Sequence, residues 1–346
     1  MTEGAYRASG VDIDAQDAAL ARVKELVAAT RTEGVLSELG SFGGLFAAPS
    51  GIPEPILVAS ADGVGTKLRV AARVGDFSTV GTDLVNHCVN DVLVQGAVPL
   101  FFLDYVGAGV LEPDHVVALV EGVAAACRAN GCALLGGETA EMPGFYRPGD
   151  YELVGFVVGV VARQRLLGPG RVEPGDRLVG LPSSGLHTNG YSLARRLVFE
   201  TAGLEASDLW PGDGQDRSVG EVLLAPHRTY LPALRPLLAD SGLHAMAHVT
   251  GGGLTDNVPR SLPAGCRAVI DRGTWAVPNL FRDLRAWGEV TEAEMLRVFN
   301  MGVGMILVVA AERCDAILSQ LREGGEEAWM LGRVESGPRG VEYRSS

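Results

Sequence analysis

Lysine is nearly absent from this chain: of its 29 basic residues only Lys24 and Lys67 are lysines, and the rest are arginines. Such a bias reflects coding composition before chemistry, but it sets both lysines apart. Positive charge as a whole is in deficit, with 42 acids giving a formal net charge of −13. An acidic surface repels phosphate backbones, which excludes a general nucleic-acid binder. A phosphate-bearing ligand would need local backbone N–H groups, a metal ion or a few placed cations. No run approaches the ~18 apolar residues that span a bilayer. The longest candidate, 301–311, is broken by Gly302 and Gly304 and reads as a buried strand. The N-terminus lacks the basic and apolar regions of a signal peptide. The five cysteines form no CxxC pair and fit reduced, buried thiols. The expectation is a soluble cytoplasmic protein with no membrane partner.

Common catalytic signatures are missing too. Neither lysine follows a glycine, so there is no P-loop, and the GxG triplets at 107–109, 168–170 and 302–304 lack the third glycine of a dinucleotide fingerprint. There is no HExxH zinc helix and no GxSxG nucleophile elbow. These absences exclude a Walker ATPase, a Rossmann dehydrogenase, a zinc protease and an α/β-hydrolase.

The chain is rich in glycine, with 46 in 346 residues, and 47% of it is apolar against 21% charged. It can bury a large core, and its length suggests two domains. An amphipathic helix is expected over 14–31, with Leu20, Val23, Leu26 and Val27 on one face and Asp14 as N-cap. Strands are expected at 55–60, 100–106, 132–135, 151–162, 177–181, 266–271, 301–311 and 328–334. Helices are expected at 82–96, from 112–113 to 131, and at 312–322, with a surface loop at 211–220. Glycine and proline punctuate 163–176, which divides the chain into domains 1–168 and 169–346. The class is α/β (α+β).

Four glycine-rich loops end predicted strands. In the first, Asp62-Gly63-Val64-Gly65-Thr66-Lys67, the glycines allow close backbone approach, Asp62 could hold Mg²⁺ and Lys67 could neutralise a phosphate; a tight turn with a capping Asp fits equally well. On the helix that follows, Asp83 and Asn90 share a face with His87 one turn from each, and their carboxylate and amide oxygens, with Asp91 next to Asn90, suit Mg²⁺ or form simply a polar face. In the third, Glu138 and Glu141 could add metal ligands or accept from a ribose, or be only solvated. The fourth group is 183–190, where Ser184, Gly185, His187 and Asn189 lead into a helix N-terminus, with Thr250-Gly251-Gly252-Gly253 as a second anion nest. His187 is the histidine picked for function. His248 is open, and His115, His227 and His244 read as ordinary positions.

At these residues the sequence resembles the phosphoribosylformylglycinamidine cyclo-ligase (aminoimidazole ribonucleotide synthetase) family. The resemblance is carried by SGVDIDA (9–15), ADGVGTKLRVA (61–71), VNDVLVQGAVPLFFLDY (89–105), GGETAEMPGFY (136–146), SSGLHTNGYSLAR (183–195), HVTGGGLTDNVPR (248–260) and FNMGVGM (299–305). DGVGTK alone would indicate only a wider ATP-binding superfamily that includes selenophosphate synthetase, whose reactive N-terminal cysteine is missing here. A non-catalytic relative should have lost Asp62, Asp83 or Asp91, and all three are present. Ala61 and His87 depart from the family pattern, as does the loop GSFGG at 40–44.

The resemblance implies ATP-dependent ring closure of formylglycinamidine ribonucleotide through an iminophosphate, with ATP and Mg²⁺ as cofactors. It implies Asp62, Asp83 and Asp91 as metal ligands. Lys24, Asp62, Gly63, Gly65, Thr66, Lys67, Asn90, Asp91, Glu138 and Glu141 are the implied nucleotide contacts. The substrate contacts would be Ser184, Gly185, His187, Asn189, Thr250, Gly251, Gly252 and Gly253, and His187, Asp91 and Lys67 the catalytic group. It also implies a homodimer whose N-terminal sheets form a barrel across the interface, with a mixed α/β C-terminal domain.

Overall fold

A computed structural model describes residues 22–212 and 214–344. The strands divide between two sheets. β1 (Pro55–Gly63), β2 (Val98–Ala108), β3 (Ala133–Glu141) and β4 (Tyr151–Ala162) form the first, in the order β1-β4-β2-β3. β5 (Arg177–Pro182), β6 (Leu243–His248), β7 (Cys266–Asp271), β8 (Val303–Val309), β9 (Trp329–Ser336) and β10 (Val341–Arg344) form the second, in the order β10-β7-β9-β5-β8-β6. Each sheet is mixed, with one parallel pair, β2/β3 in the first and β7/β10 in the second. Every strand of the first sheet ends before every strand of the second begins, so the chain builds one α/β unit and then another.

Helix α1 is described over 22–28, and the expected N-cap Asp14, Leu20 and the 9–15 segment lie outside the described residues. α2 (Leu68–Val74) follows the first glycine loop, α3 (Val80–Leu93) runs beneath the first sheet, and α4 (Pro113–Asn130) packs on α3 with Pro113 in its first turn. α3 is buried along almost its whole length because the sheet, α4 and the second unit enclose it. Its crossing with α4 is close enough that a Cβ on Gly81 would overlap Leu119 O, and one on Gly122 would lie 2.7 Å from Ser78 O.

Two expected loops turn out to be strand. β1 runs on through Asp62 to Gly63, and β3 continues through Gly136, Gly137 and Glu138 to Glu141. Pairing with the neighbouring strand holds them extended: Asp62 lies opposite Gly155, and Gly137 opposite Asp104. The glycines suggested turns, yet here they let side chains from the next strand pack against the backbone. The surface loop expected at 211–220 stops earlier, because Ser218 and Glu221 form a capping box that starts the helix Val219–Leu223. Among the described residues, no helix is long and apolar enough to cross a membrane.

Candidate active site at the domain interface

The polar face of α3 meets the second unit across the groove between the sheets. Asn86 Nδ2 donates to His227 O at 2.7 Å, Asn90 Nδ2 donates to Arg228 O at 2.8 Å, and Asn90 Oδ1 accepts from Tyr230 N at 3.0 Å. Asp83 Oδ1 accepts from His227 N at 2.6 Å. These side chains satisfy the backbone of 227–230, which is neither helix nor strand until Leu231. Asn90 was expected at a cofactor, but both ends of its amide are already engaged in this clamp.

Lys67 is likewise engaged. It has no exposed surface, and its Nζ reaches Asp83 Oδ2 at 2.7 Å, Ala225 O at 2.8 Å and His187 O at 3.3 Å. Three acceptors match the three protons of an ammonium. Burial pulls the Lys67 pKa down and pushes that of Asp83 up, while each group's charge holds the other ionised. Lys67 has no donor left for a phosphate, and Asp83, with no exposed side-chain surface, has its charge met by Lys67 rather than by a metal. The pair instead joins the two units.

Asp62 and Asp91 are different. Their side chains keep 43% and 30% exposure at the groove. A chain of hydrogen bonds links them through both units. Asp62 Oδ2 meets His87 Nε2 at 2.9 Å, and His87 Nδ1 meets Thr188 Oγ1 at 2.6 Å. Thr188 Oγ1 meets His227 Nδ1 at 3.4 Å, His227 Nε2 meets His248 Nε2 at 3.0 Å, and His248 Nδ1 meets Asp91 Oδ1 at 2.9 Å. Ser60 Oγ donates to the other Asp91 oxygen at 3.2 Å.

Counting protons assigns this chain. The five contacts from Asp62 to Asp91 need five protons, and three neutral imidazoles plus one hydroxyl supply four. One imidazole therefore carries an extra proton. Burial opposes charge on His87, but its bond to Asp62 and the nearby charges of Asp91, Asp62 and Asp83 outweigh it and raise its pKa. Burial, then repulsion from any positive charge on the neighbouring histidines and Lys67, lowers that of His227, and burial also wins at His248. The proton belongs on His87. Thr188 then donates to His227, His227 to His248, and His248 to Asp91. Both carboxylates stay ionised: burial works against this, but the bonds to His87 and His248 prevail.

His187, expected to be catalytic, is fully buried in a left-handed conformation (φ 62°). Its Nε2 accepts from Ser184 N at 3.2 Å, and its ring stacks on His227 at 3.9 Å and 18°. Burial, then nearby positive charge, drives its pKa well down, so it is a neutral support for its loop. His187, His227 and His248 bring nitrogens within 4.8 Å of one another. Stacked rings aim their lone pairs side by side rather than at one point, and the hydrogen bonds already account for His227 and His248. A metal centre is not assigned there.

These neutral histidines carry a pH prediction. The folded-state pKa values of His187 and His227 lie below the ordinary value of 6.5, so their contribution is present above that value and is lost as pH falls through it. The melting temperature should drop between pH 7 and pH 5, and His227→Gln should flatten that slope. An unchanged slope would count against the assignment.

The remaining expected residues scatter. Ser184 and Gly185 cap the loop, and Asn189 lies against Gly251, so the 183–190 and 250–253 loops adjoin. Thr66 is exposed beside Ser192, 3.2 Å away, with Gly63 and Gly65 leading to it. Glu141 Oε1 accepts from Leu111 N at 2.7 Å and anchors a loop. Lys24 and Glu138 are exposed and make no contact with the chain of hydrogen bonds between Asp62 and Asp91. Glu138 lines a cavity of about 580 Å³ between α1, α4, the glycine loop 40–44 and β3. Lys24 lines an adjoining one of about 300 Å³. A third cavity, about 550 Å³, opens between the units and is lined by Ser60, Asp91, His248, Asn257 and Arg260. Sequence reading passed over Ser60, Thr188, His227 and Arg260. His227 reads as an ordinary position, and nothing in its sequence neighbourhood, Ala225-Pro226-His227-Arg228, singles it out.

Residues 51–161 match the family described as AIR synthase related protein, N-terminal domain, and 173–344 match its C-terminal domain. The phosphoribosylformylglycinamidine cyclo-ligase of Trichlorobacter lovleyi is 48% identical over 332 residues, 96% of this chain and 95% of that protein. The enzyme of the same name from Sorangium cellulosum is 50% identical over 333 residues, again 96% and 95%. Among solved structures, E. coli HypE, a hydrogenase maturation protein, superposes with TM-score 0.68 at 19% identity, covering 95% of this chain and 93% of that one. Thiamine-monophosphate kinase from Stenotrophomonas maltophilia superposes with TM-score 0.66 at 20% identity, covering 94% and 95%. At such identities the two structures share the fold.

Proposed function

The chain belongs to the phosphoribosylformylglycinamidine cyclo-ligase family, and from that premise we propose how its groove closes the imidazole ring. The activity is that of an ATP-dependent ligase, the step of purine biosynthesis that forms aminoimidazole ribonucleotide. In the proposed sequence the formyl amide oxygen of formylglycinamidine ribonucleotide attacks the γ-phosphoryl of ATP, giving an iminophosphate and ADP. The ribosyl-bearing amidine nitrogen then attacks the formyl carbon, and phosphate leaves as the ring forms.

The observation that carries this reading is the pair of ionised, partly exposed carboxylates Asp62 and Asp91, oriented from behind by imidazoles. Hard oxygen donors of this kind fit Mg²⁺, and Asp62 with Asp91 would hold it, supplying positive charge where the phosphoryl group transfers. The soft imidazoles hold the carboxylates rather than the metal. The substrate fits the 550 Å³ cavity beside Asp91, with Arg260 and the 250–253 loop as its phosphate contacts. Gly65 and Thr66 offer backbone and hydroxyl groups to the triphosphate, while Gly63 N already donates to Asp62 Oδ1 at 2.7 Å, and the base end of ATP fits the 580 Å³ cavity near Glu138 and Lys24. Among the described residues its lining is mostly apolar and includes no Lys or Arg, which suits a purine and not a phosphate. An unshielded carboxylate pair would otherwise repel both phosphorylated ligands.

A homodimer completes the reading. One face of the first sheet packs on α3 and α4. The other presents Leu57 at 63% exposure and Phe156 at 39%, with Phe101 and Leu103 half-buried beside them. An apolar sheet face of this kind calls for a partner, and a second copy pairing its own sheet is the one proposed. Phe156→Glu should convert a dimer to a monomer in analytical ultracentrifugation, and a wild type that sediments as a monomer would sink this part.

The activity test follows ADP release and aminoimidazole product from formylglycinamidine ribonucleotide, ATP and Mg²⁺. Wild type should make them one for one, and Asp62→Ala should lower the rate at least about a hundredfold. Folded protein that binds ATP but yields no product would reject the reaction.

A further inference from the structure

The 580 Å³ cavity has a carboxyl group at its floor that the reaction does not use. We propose that Asp104, projecting from β2, reads the Watson–Crick edge of the purine of ATP by pairing with its 6-amino group and N1. This rests on the reading above that the cavity takes the base.

The placement follows from the sheet. Asp62, Gly155, Asp104 and Gly137 lie opposite one another across β1, β4, β2 and β3. A Cβ on Gly155 would lie 2.9 Å from Leu84 on α3, so this row points to the helix side. A Cβ on Gly137 would overlap the Asp104 carboxyl, so the glycine makes the room that the carboxyl occupies. Around it stand Val116 and Val120 of α4, Leu134 and the glycine loop 40–44. No side-chain donor among the described residues pairs with Asp104. Desolvation pushes its pKa up to about 7, so much of it is a neutral acid near neutral pH.

The chemistry of the base completes the argument. A 6-aminopurine presents a donor at N6 and an acceptor at N1 side by side. A neutral carboxyl presents an acceptor and a donor in the same pair of positions, and an apolar wall makes each unmade bond costly. A carboxylate would leave lone pairs facing N1. Burial of Asp104 thus serves recognition rather than metal binding.

The test compares ATP with purine riboside triphosphate, which lacks the 6-amino group, in the full-length enzyme. Wild type should favour ATP in kcat/KM by at least about tenfold, mostly through KM, because the analogue leaves the carboxyl unpaired. Asp104→Ala should bring the ratio close to one, and Asp104→Asn, whose amide offers the same donor and acceptor, should restore a preference for ATP. Asp104→Leu keeps the volume and serves if the alanine variant does not fold. A second variant, Val23→Trp, fills the cavity from α1 and should raise the KM for ATP. If Val23→Trp raises that KM while Asp104→Ala keeps the wild-type ratio, the base lies there and Asp104 does not read it. If neither variant changes the handling of ATP, the cavity is not the base site and both readings fall. A wild type indifferent to the 6-amino group also overturns the proposal.

Discussion

Lys67→Met should destabilise the fold by about 3–5 kcal/mol, the range for removing one partner of a buried ion pair. Lys67 and Asp83 have no exposed side-chain surface and stand 2.7 Å apart. Methionine fills much of the lysine's volume but leaves Asp83 with one oxygen on His227 N and no counter-charge for the other. It also frees the carbonyls of His187 and Ala225, which the ammonium held. The buried carboxyl must then take up a proton or admit water, and either opens the seam between the units. The double variant Lys67→Met, Asp83→Leu removes both charges and should recover a large part of the loss, because a well-packed apolar pair often replaces an ion pair without penalty. Denaturant unfolding of the three proteins is the measurement. A single variant within about 1 kcal/mol of wild type would mean that the pair does not join the units.

That ion pair also marks the limit of what the sequence discloses. DGVGTK reads as a phosphate loop because its lysine follows glycines, and only the fold reveals that the side chain turns inward to Asp83 on α3 and to carbonyls of the second unit. The order of strands and helices was largely legible, since β-branched runs such as 151–162 and the helix ending at Gly131 obey local rules. The sheet edges were less so: Gly136 and Gly137 look like a turn, and their reason for being glycine is the side chain of Asp104 on the adjacent strand. Asp62 was legible as an acid beside glycines, and Asp91 as one of the acids on the helix that follows. The chain of imidazoles between them was not, because His87, His227 and His248 are far apart in sequence and meet only when two domains close on each other. His227 read as an ordinary position for that reason. His187 drew attention through its polar neighbours, yet its ring is buried against His227 and Tyr230.

Asp91→Asn should lower turnover by about a thousandfold while leaving the fold intact. The amide oxygen can still accept from His248 Nδ1, and the amide nitrogen can donate to Ser60 Oγ, so both contacts survive with roles exchanged at the serine. What disappears is the charge. Wild-type Asp91 remains ionised against the pull of burial because His248 donates to it and His87 lies nearby with its extra proton. Without that charge Asp62 is left as one carboxylate facing an imidazolium, and the groove loses half of its proposed metal-binding capacity. The Mg²⁺ concentration needed for half-maximal rate should therefore rise together with the fall in kcat, while the melting temperature stays within a few degrees of wild type. A purely structural role would move the melting temperature and leave the Mg²⁺ dependence alone. Turnover within tenfold of wild type, at unchanged Mg²⁺ dependence, would remove Asp91 from the reacting centre.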